Sequence, residues 1–257
     1  MKFLGVDLGW VSGDSGLCCL SWHDDHLTLS NLDRLVRVED VLQWIDCLVK
    51  SSETAVIAVD APTLIPNKTG MRVPDRLAHR HFGKYHAGCY PANLNRPFAA
   101  RTVGFGLQLE ERGFVHDPAI AHSKPLGRYQ LEVFPHAAMI HLFRLNRIIK
   151  YKKGRVAERK AGLTQLRTYI LNVLPTLDPP LKFVTPIPDI PTTGVELKRL
   201  EDRLDSLICA YTAAHWWYWG IQRNWVLGDR TSGYIVVPTP FGMLTRNANQ
   251  ELGRDSL

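Results

Sequence analysis

Short apolar runs alternate along the chain with longer stretches in which apolar residues recur every three or four positions. The first pattern predicts strands and the second predicts helices. Strands are predicted at residues 2–7, 15–22, 26–32, 55–60, 129–134 and 234–238. Helices are predicted at residues 38–49, 155–174 and 195–220, with another beginning at Pro135. Three strands, a helix and a further strand predict an α/β fold in which the fourth strand lies parallel to the first.

Two of the predicted strands end on an aspartate. Asp7 follows the apolar run 3–6, and Asp60 follows the run 55–59. Such near-continuous runs are typical of strands buried on both faces, where an unpaired carboxylate costs several kcal/mol. The ends of parallel strands in open sheets are also where ligands collect. We therefore expect Asp7 and Asp60 to share one site with a cation.

The last long helix predicts a second pair of carboxylates. Its apolar stripe faces the core and consists of Leu197, Leu200, Leu204, Ile208 and Tyr211. Asp202 and Asp205, three residues apart, project together from another side, where small residues such as Cys209 and Ala213 allow close packing. The alternative is a solvated face on which Arg203 pairs with both aspartates.

The four aspartates together favour a metal site over that alternative. Carboxylate and water oxygens are the ligands that Mg²⁺ and Mn²⁺ prefer, and both ions often act while bound to substrate phosphates. Two such ions about 3.5–4 Å apart can activate a water and stabilise the leaving oxygen in phosphodiester cleavage. The pattern therefore predicts a two-metal hydrolase of phosphodiesters.

The same stretches resemble the RNase H-like superfamily, and in particular its RuvC-type branch. The matching segments are GVDLG at 5–9, VDAP at 59–62 and DRLDSL at 202–207. With LEVFPHA at 131–137 and GYIVVP at 233–238, nearly the whole chain is similar to the domain-of-unknown-function family 429, whose members are predicted nucleases.

The resemblance implies a mixed sheet of about five strands flanked by helices. Its first three strands are antiparallel, and the next ones lie parallel to the first. Residues 1–257 would form a single RNase H-like domain, and residues 62–128 would form an insertion with two short helices that covers the site.

The resemblance also implies roles for individual acids. Asp7, Asp60 and Asp205 are expected to bind the metal, with Asp7 at the centre, and Asp202 is a further catalytic candidate. Glu132 lies inside an apolar strand, so it needs either the metal or a basic residue of the insertion as a partner. It remains a catalytic candidate, although the RuvC-type pattern places no metal-binding acid there.

Charge and histidine placement add the substrate side of the hypothesis. The formal net charge of +6 favours an anionic partner, and residues 144–160 form a basic run with one acid, Glu158. That run is either a phosphate-binding surface or a solvated helix face or loop. The candidate substrate-binding residues are Arg72, Arg76, Arg80, Lys152 and Lys153. His136 either positions water or substrate or has a structural role.

Composition limits the cellular setting. The five cysteines show no C-x-x-C spacing, which argues against a disulfide framework or zinc site and predicts small buried residues. No apolar stretch approaches the roughly 20 residues of a membrane span, and Asp7 interrupts the place of a signal peptide's apolar region. We expect a cytoplasmic protein without a membrane partner, with a homodimer as an open possibility.

Three functions are compatible with these features. The first is a nuclease that uses Mg²⁺ or Mn²⁺ to cleave DNA or RNA. The second is a non-catalytic nucleic-acid-binding or scaffold protein with the same fold, which would have no need of four acids. The third is an actin-like ATP-dependent phosphotransferase, but the chain has neither a second Asp-x-Gly strand nor a glycine-rich adenosine motif. We predict the nuclease.

Overall fold

A computed structural model describes residues 1–11 and 13–239 of the 257-residue chain. The strands are β1 (Lys2–Asp7), β2 (Ser15–His23), β3 (His26–Leu35), β4 (Ala55–Val59), β5 (Val115–His116), β6 (Arg128–Glu132), β7 (Leu181–Lys182), β8 (Asn224–Asp229) and β9 (Gly233–Pro238). The α-helices are α1 (Val38–Leu48), α2 (Val73–Phe82), α3 (Ala99–Glu111), α4 (Pro135–Leu142), α5 (Val156–Val173) and α6 (Gly194–Trp219). These bounds confirm the predicted strands and long helices to within a few residues.

Seven of the strands form one mixed sheet in the order β5-β6-β4-β1-β2-β3-β7. Strands β1, β2 and β3 are antiparallel neighbours, whereas β4 lies parallel to β1 and β6 lies parallel to β4. The predicted α/β class and the mixed five-stranded centre are therefore confirmed. The two-residue edge strands β5 and β7 lengthen the sheet, and they are too short to show any periodicity in the sequence.

The C-terminal strand has a different partner from the other predicted strands. β9 pairs with β8 in an antiparallel hairpin outside the main sheet, and a single bridge between Val133 and Val236 connects it to the end of β6. Strand β8 was not predicted, because Asn224 and the Gly228-Asp229 pair interrupt its apolar pattern.

Helix α6 crosses one face of the sheet at very close range. A Cβ atom added to Gly5 on β1 would overlap the carbonyl oxygen of Ser206, and one added to Gly16 on β2 would overlap that of Asp202. Glycine at both strand positions therefore lets the helix backbone rest directly on the strands. This contact brings the carboxylate-bearing turns of α6 to the ends of β1 and β4.

The opposite face of the sheet packs against α1 and α3. Val41 and Ile45 of α1 and Phe105 and Leu109 of α3 lie in this second core, together with Val6 of β1. Residues 62–128 contribute α2 and α3, so the expected two helices of this segment are confirmed. None of the helices in the described ranges has the length and apolar character that crossing a bilayer requires.

The cysteines follow the prediction in part. All five are free thiols, and Cys18, Cys19 and Cys209 are buried. Cys47 is exposed and Cys89 is half-buried, so the expectation that every cysteine is buried is wrong for these two. Cys47 lies on the solvent side of the amphipathic helix α1, where a small side chain has no packing role.

Replacing Gly5 by alanine tests the close approach of α6. We expect Gly5→Ala to lower the free energy of unfolding by about 3 kcal/mol, because the new methyl group must push backbone atoms of α6 away from β1. Urea unfolding followed by circular dichroism measures this change. Gly104→Ala in α3 is the matched control, since a Cβ there meets open space, and it should be neutral or stabilising by up to about 1 kcal/mol. Equal effects of both substitutions would contradict the packing argument.

Candidate active site

Asp7 and Asp60 lie side by side at the ends of neighbouring parallel strands. Val6 pairs with Val59 in the register, and the amide of Asp60 donates to the carbonyl of Val6 at 2.8 Å. Both valines face the α1 side of the sheet, so the next residue on each strand points to the opposite face. Both carboxylates therefore project toward the side of the sheet that α6 covers.

The two aspartates border a cavity of about 260 Å³ at this end of the sheet. One wall comes from the 62–128 segment, including Tyr90, and another comes from Phe134 and Lys152. Trp10 lies in the lining as well, and its indole Nε1 donates to the carbonyl of Asp60 at 2.8 Å. The complete lining is Asp7, Leu8, Trp10, Asp60, Ala61, Pro62, Arg72, Asp75, Gly88, Cys89, Tyr90, Glu132, Val133, Phe134, Lys152 and Ile235.

The carboxylates of Asp7 and Asp60 have little to stabilise their charge. Within residues 1–11 and 13–239, neither side chain accepts a hydrogen bond or forms an ion pair. Burial raises the pKa of Asp60 to about 7, opposed by the charge of Lys152 and reinforced by Asp205. Burial raises the pKa of Asp7 well above its usual range in the same way. The pair is short of positive charge, which a bound cation would supply.

Asp205 reaches this region from α6, but it already has partners. Its Oδ2 lies 2.6 Å from the Nζ of Lys152, and the hydroxyl of Tyr151 donates to its Oδ1 at 2.7 Å. Asp205 is wholly buried and does not border the cavity, whereas Lys152 does. The ammonium of Lys152 therefore lies between Asp205 and the cavity.

Asp202 points to a different set of partners from Asp205. Its Oδ2 accepts from the Nε of Arg34 at 2.8 Å, and the Nζ of Lys198 lies 2.8 Å from its Oδ1. Arg34 also pairs with Asp14. The alternative of a solvated face is wrong, because Asp202 and Asp205 are both buried. The structure separates the two acids into two ion-pair systems, and the catalytic role of Asp202 stays a prediction.

Glu132 is held by a basic residue of the 62–128 segment, one of the two partners that the sequence left open. The Nη1 and Nη2 atoms of Arg72 lie 2.8 and 2.6 Å from its two carboxylate oxygens. Glu132 pairs with Val59 in the register, so it leaves the sheet on the face opposite to Asp60. Its side chain therefore joins β6 to the segment before α2.

Arg72 has no donor left over for the substrate that we expected it to bind. It is 4% exposed and also contacts Asp75 at 2.8 Å and the carbonyl of Leu64 at 2.8 Å. Although burial opposes its charge, Glu132 and Asp75 raise the pKa of Arg72 above its usual range. Its position is that of a structural ion pair within the cavity wall, because Arg72, Asp75 and Glu132 all belong to the lining.

The other candidate substrate-binding residues are placed differently. Arg76 and Arg80 are exposed on α2, and Lys153 is exposed beside Lys152. Lys152 itself is half-buried, as described above, and its role as the partner of Asp205 was not predicted. Its charge does not distinguish Lys152 from its neighbours in the basic run. The available signal in the local sequence was Tyr151, the one aromatic residue of that run.

His136 lies close to this group. Its ring is 5.7 Å from the ring of Tyr151, and its Nε2 is buried without a hydrogen-bond partner in the described part of the chain. Burial, together with the charge of Lys152, lowers the pKa of His136 to about 4. The imidazole is therefore neutral at pH 7, and the choice between a functional and a structural role stays open.

The donor set fits a hard cation, but only at Asp7 and Asp60. Among the described residues, no three histidine, cysteine, aspartate or glutamate side chains are grouped as a metal site. Mg²⁺ is commonly held by one or two carboxylates and completes its shell with water and substrate phosphate oxygens. Two unpaired carboxylates beside an open cavity meet that requirement. The assignment of Asp205 as a third ligand stays a prediction.

Fold and site together define a mixed α/β protein with an acidic cavity at the ends of its central parallel strands. The chain belongs to the family described as "Protein of unknown function (DUF429)", whose model matches residues 5–223. The family resemblance seen in the motifs is thus confirmed.

Two solved structures similar to this chain are of RuvC. Thermus thermophilus RuvC is 12% identical with a TM-score of 0.36, over 83% of this chain and 98% of that one. T. thermophilus RuvC in complex with a Holliday junction substrate is 11% identical with a TM-score of 0.30, over 83% and 97%. No curated protein matches the sequence.

The pKa of Asp60 predicts an unusual pH dependence of stability. Its pKa rises from 3.8 to about 7 on folding, so the folded state holds more protons than the unfolded state between these values, and stability falls as the pH rises through this window. Asp60→Asn should therefore be more stable than wild type at pH 8 by roughly 1–3 kcal/mol, and the gain should shrink toward pH 4. Urea unfolding in EDTA measures both.

Asp25→Asn is the control for that experiment, because Asp25 is an exposed turn residue with a positive φ of 59° that asparagine also tolerates. It should change stability equally at both pH values. A loss of stability in Asp60→Asn at pH 8 would contradict the claim that the ionised carboxylate of Asp60 lacks a stabilising positive charge.

Removing the charge of Glu132 tests the structural ion pair. Glu132→Gln should lower the free energy of unfolding by about 3 kcal/mol, because it leaves the buried Arg72 short of one of its two carboxylates. Chemical denaturation measures the loss. Glu111→Gln, at an exposed position of α3, should have an effect within about 0.5 kcal/mol. If both variants are equally stable, Arg72 does not depend on Glu132.

Proposed function

We propose that this protein is a nuclease that requires Mg²⁺ or Mn²⁺ and hydrolyses phosphodiester bonds in DNA or RNA. One observation carries the proposal: two neighbouring strand-end carboxylates, Asp7 and Asp60, face a cavity and have no partner among residues 1–11 and 13–239, while an ammonium group lines the same cavity. Unpaired carboxylates at such a position are costly unless a cation joins them.

Asp7 and Asp60 would hold the metal ion. When bound, the ion would activate a water and polarise a phosphoryl oxygen. The carboxylates fix its place at the cavity floor, and the walls from the 62–128 segment limit the water around it. Lys152 contributes a second positive charge to the lining of the same cavity. The site thus offers cations to a substrate that carries negative charge on phosphate.

The surroundings favour a nucleic acid over a small phosphate ester. The net charge is +6, and exposed basic side chains lie on α2 and beside Lys152. Tyr90, 57% exposed, and Trp10 lie in the lining with their rings 6.5 Å apart, so aromatic faces are available to a base. The resemblance of the motifs to the RNase H-like superfamily adds support, because it implies the same chemistry.

We extend the proposal to the organisation of the chain. Residues 1–257 would act as one RNase H-like domain, with the 62–128 segment shaping access to the strand ends. Gly88, Cys89 and Tyr90 from this segment already line the cavity. A homodimer stays a prediction that a sedimentation measurement would settle.

A cleavage assay tests the function. Single- and double-stranded DNA and RNA are incubated with the protein in Mg²⁺, Mn²⁺ or EDTA. We expect cleavage only with metal and at least a roughly 100-fold lower rate for Asp7→Asn and Asp60→Asn, because several kcal/mol of stabilisation from the metal would be lost. Asp25→Asn should keep the wild-type rate.

Two results would contradict the proposal. Cleavage by Asp7→Asn at the wild-type rate would contradict a mechanism in which Asp7 holds the metal ion. Tight binding of nucleic acid with no cleavage under any metal condition would favour the non-catalytic alternative instead.

A further inference from the structure

Lys152 is too firmly held to be part of a loose basic surface. A Cβ added to Gly162 of α5 would overlap the carbonyl oxygen of Lys150, so the backbone before Lys152 packs tightly on that helix. Tyr151 is fully buried, and its hydroxyl anchors on Asp205. The side chain of Lys152 is 32% exposed and ends 2.6 Å from the same carboxylate. The ammonium is therefore fixed at the cavity.

Asp7 and Asp60 are the acids of the cavity lining that have no partner in the described part of the chain. Lys152 pairs with Asp205, and Arg72 is shared by Glu132 and Asp75. The two unpaired carboxylates match the charge of a single Mg²⁺ or Mn²⁺. Asp202 does not enter this balance, because Arg34 and Lys198 already pair with it.

A second ion would have to displace Lys152. Asp205 is the acid that the two-metal prediction needs, yet it does not border the cavity. Its Oδ1 accepts a hydrogen bond from Tyr151, and its Oδ2, which accepts no hydrogen bond in the described part of the chain, forms an ion pair with Lys152. Consistent with this, no three metal-binding side chains are grouped in the described ranges. The geometry favours a fixed ammonium where a second ion would lie.

We propose that the protein binds one divalent ion, at Asp7 and Asp60, and that the ammonium of Lys152 serves as the second cation of the site, positioned by Asp205 and Tyr151. This inference rests on the proposed nuclease function for its chemical meaning. It departs from the two-metal arrangement that the sequence predicts.

In hydrolysis, Lys152 donates hydrogen bonds to a phosphoryl oxygen and keeps its protons. The oxygen of the attacking water bonds to phosphorus, and the phosphorus–oxygen bond to the leaving nucleoside breaks with its electron pair on that oxygen. The water's proton passes to solvent, and the leaving oxygen takes a proton from solvent to become a hydroxyl group. Lys152 stabilises the negative charge on the phosphoryl group during this exchange. Lys152 is thus a catalytic residue, and Asp205 and Tyr151 are positioning residues.

Counting bound ions without substrate tests the proposal. Isothermal titration with Mn²⁺ should give one ion for wild type. In Lys152→Met the carboxylate of Asp205 loses its cation, so we expect either a second ion or at least about tenfold tighter binding of the first. Lys182→Met, at an exposed position of the edge strand β7, should behave as wild type. Two ions in wild type, or identical binding by both lysine variants, would overturn the inference.

A double variant guards against misfolding, since Lys152→Met leaves a buried carboxylate unpaired. Lys152→Met/Asp205→Asn removes one charge of each sign, so it should bind one ion with wild-type affinity. Its cleavage rate should nevertheless fall at least about 100-fold. Wild-type cleavage by the double variant would contradict a catalytic Lys152.

The ion count and the cleavage assay test two different proposals, so one proposal can fail while the other stands. If wild type binds one ion and Lys152→Met shifts the binding, but no nucleic acid is cleaved, the nuclease proposal fails and the one-ion site stands. If cleavage depends on Asp7 but wild type binds two ions, the nuclease stands and the role of Lys152 is overturned.

Discussion

The direct contact between α6 and the first two strands is the constraint on which the rest of the structure depends. Gly5 and Gly16 carry no side chain at the points where the helix backbone rests on β1 and β2. Because α6 lies so close to the sheet, Asp205 comes within reach of the strand ends, and Lys152 can bridge from Asp205 to the cavity. Larger residues at these two positions would lift the helix and separate the charges.

That contact concentrates more negative than positive charge in one place. Burial alone disfavours the ionised forms of Asp7 and Asp60, and their raised pKa values express this cost. Other buried acids in the described part of the chain, such as Glu132 and Asp202, have basic partners. This contrast supports the proposal that Asp7 and Asp60 bind an external cation, at a cost in stability that functional sites commonly carry.

Much of this could be predicted from the sequence because the signals are local. An apolar run that ends on an aspartate indicates a buried strand with a carboxylate at its end. The positions of Asp7 and Asp60 therefore followed from the pattern. The need of Glu132 for a partner followed from its burial. The identity of that partner did not, since Arg72 lies 60 residues away in sequence, and only the folded chain brings the two together.

Lys152 shows the limit of such reasoning most clearly. Its neighbours in the basic run share its charge, so the sequence left the whole run as either a phosphate-binding surface or a solvated helix face or loop. Its distinct role depends on the tight packing of Gly162 and on the buried hydroxyl of Tyr151, which are tertiary contacts. The two edge strands β5 and β7 were likewise set by tertiary pairing, and β8 was missed although its partner β9 was predicted.

The most direct test of the site is a crystal structure of the wild-type protein grown with Mn²⁺ and analysed by anomalous scattering. A single manganese peak is expected between the carboxylates of Asp7 and Asp60, with Lys152 still paired to Asp205. An absence of manganese at these carboxylates, or an ion bound by Asp205 with Lys152 displaced, would contradict this description of the site.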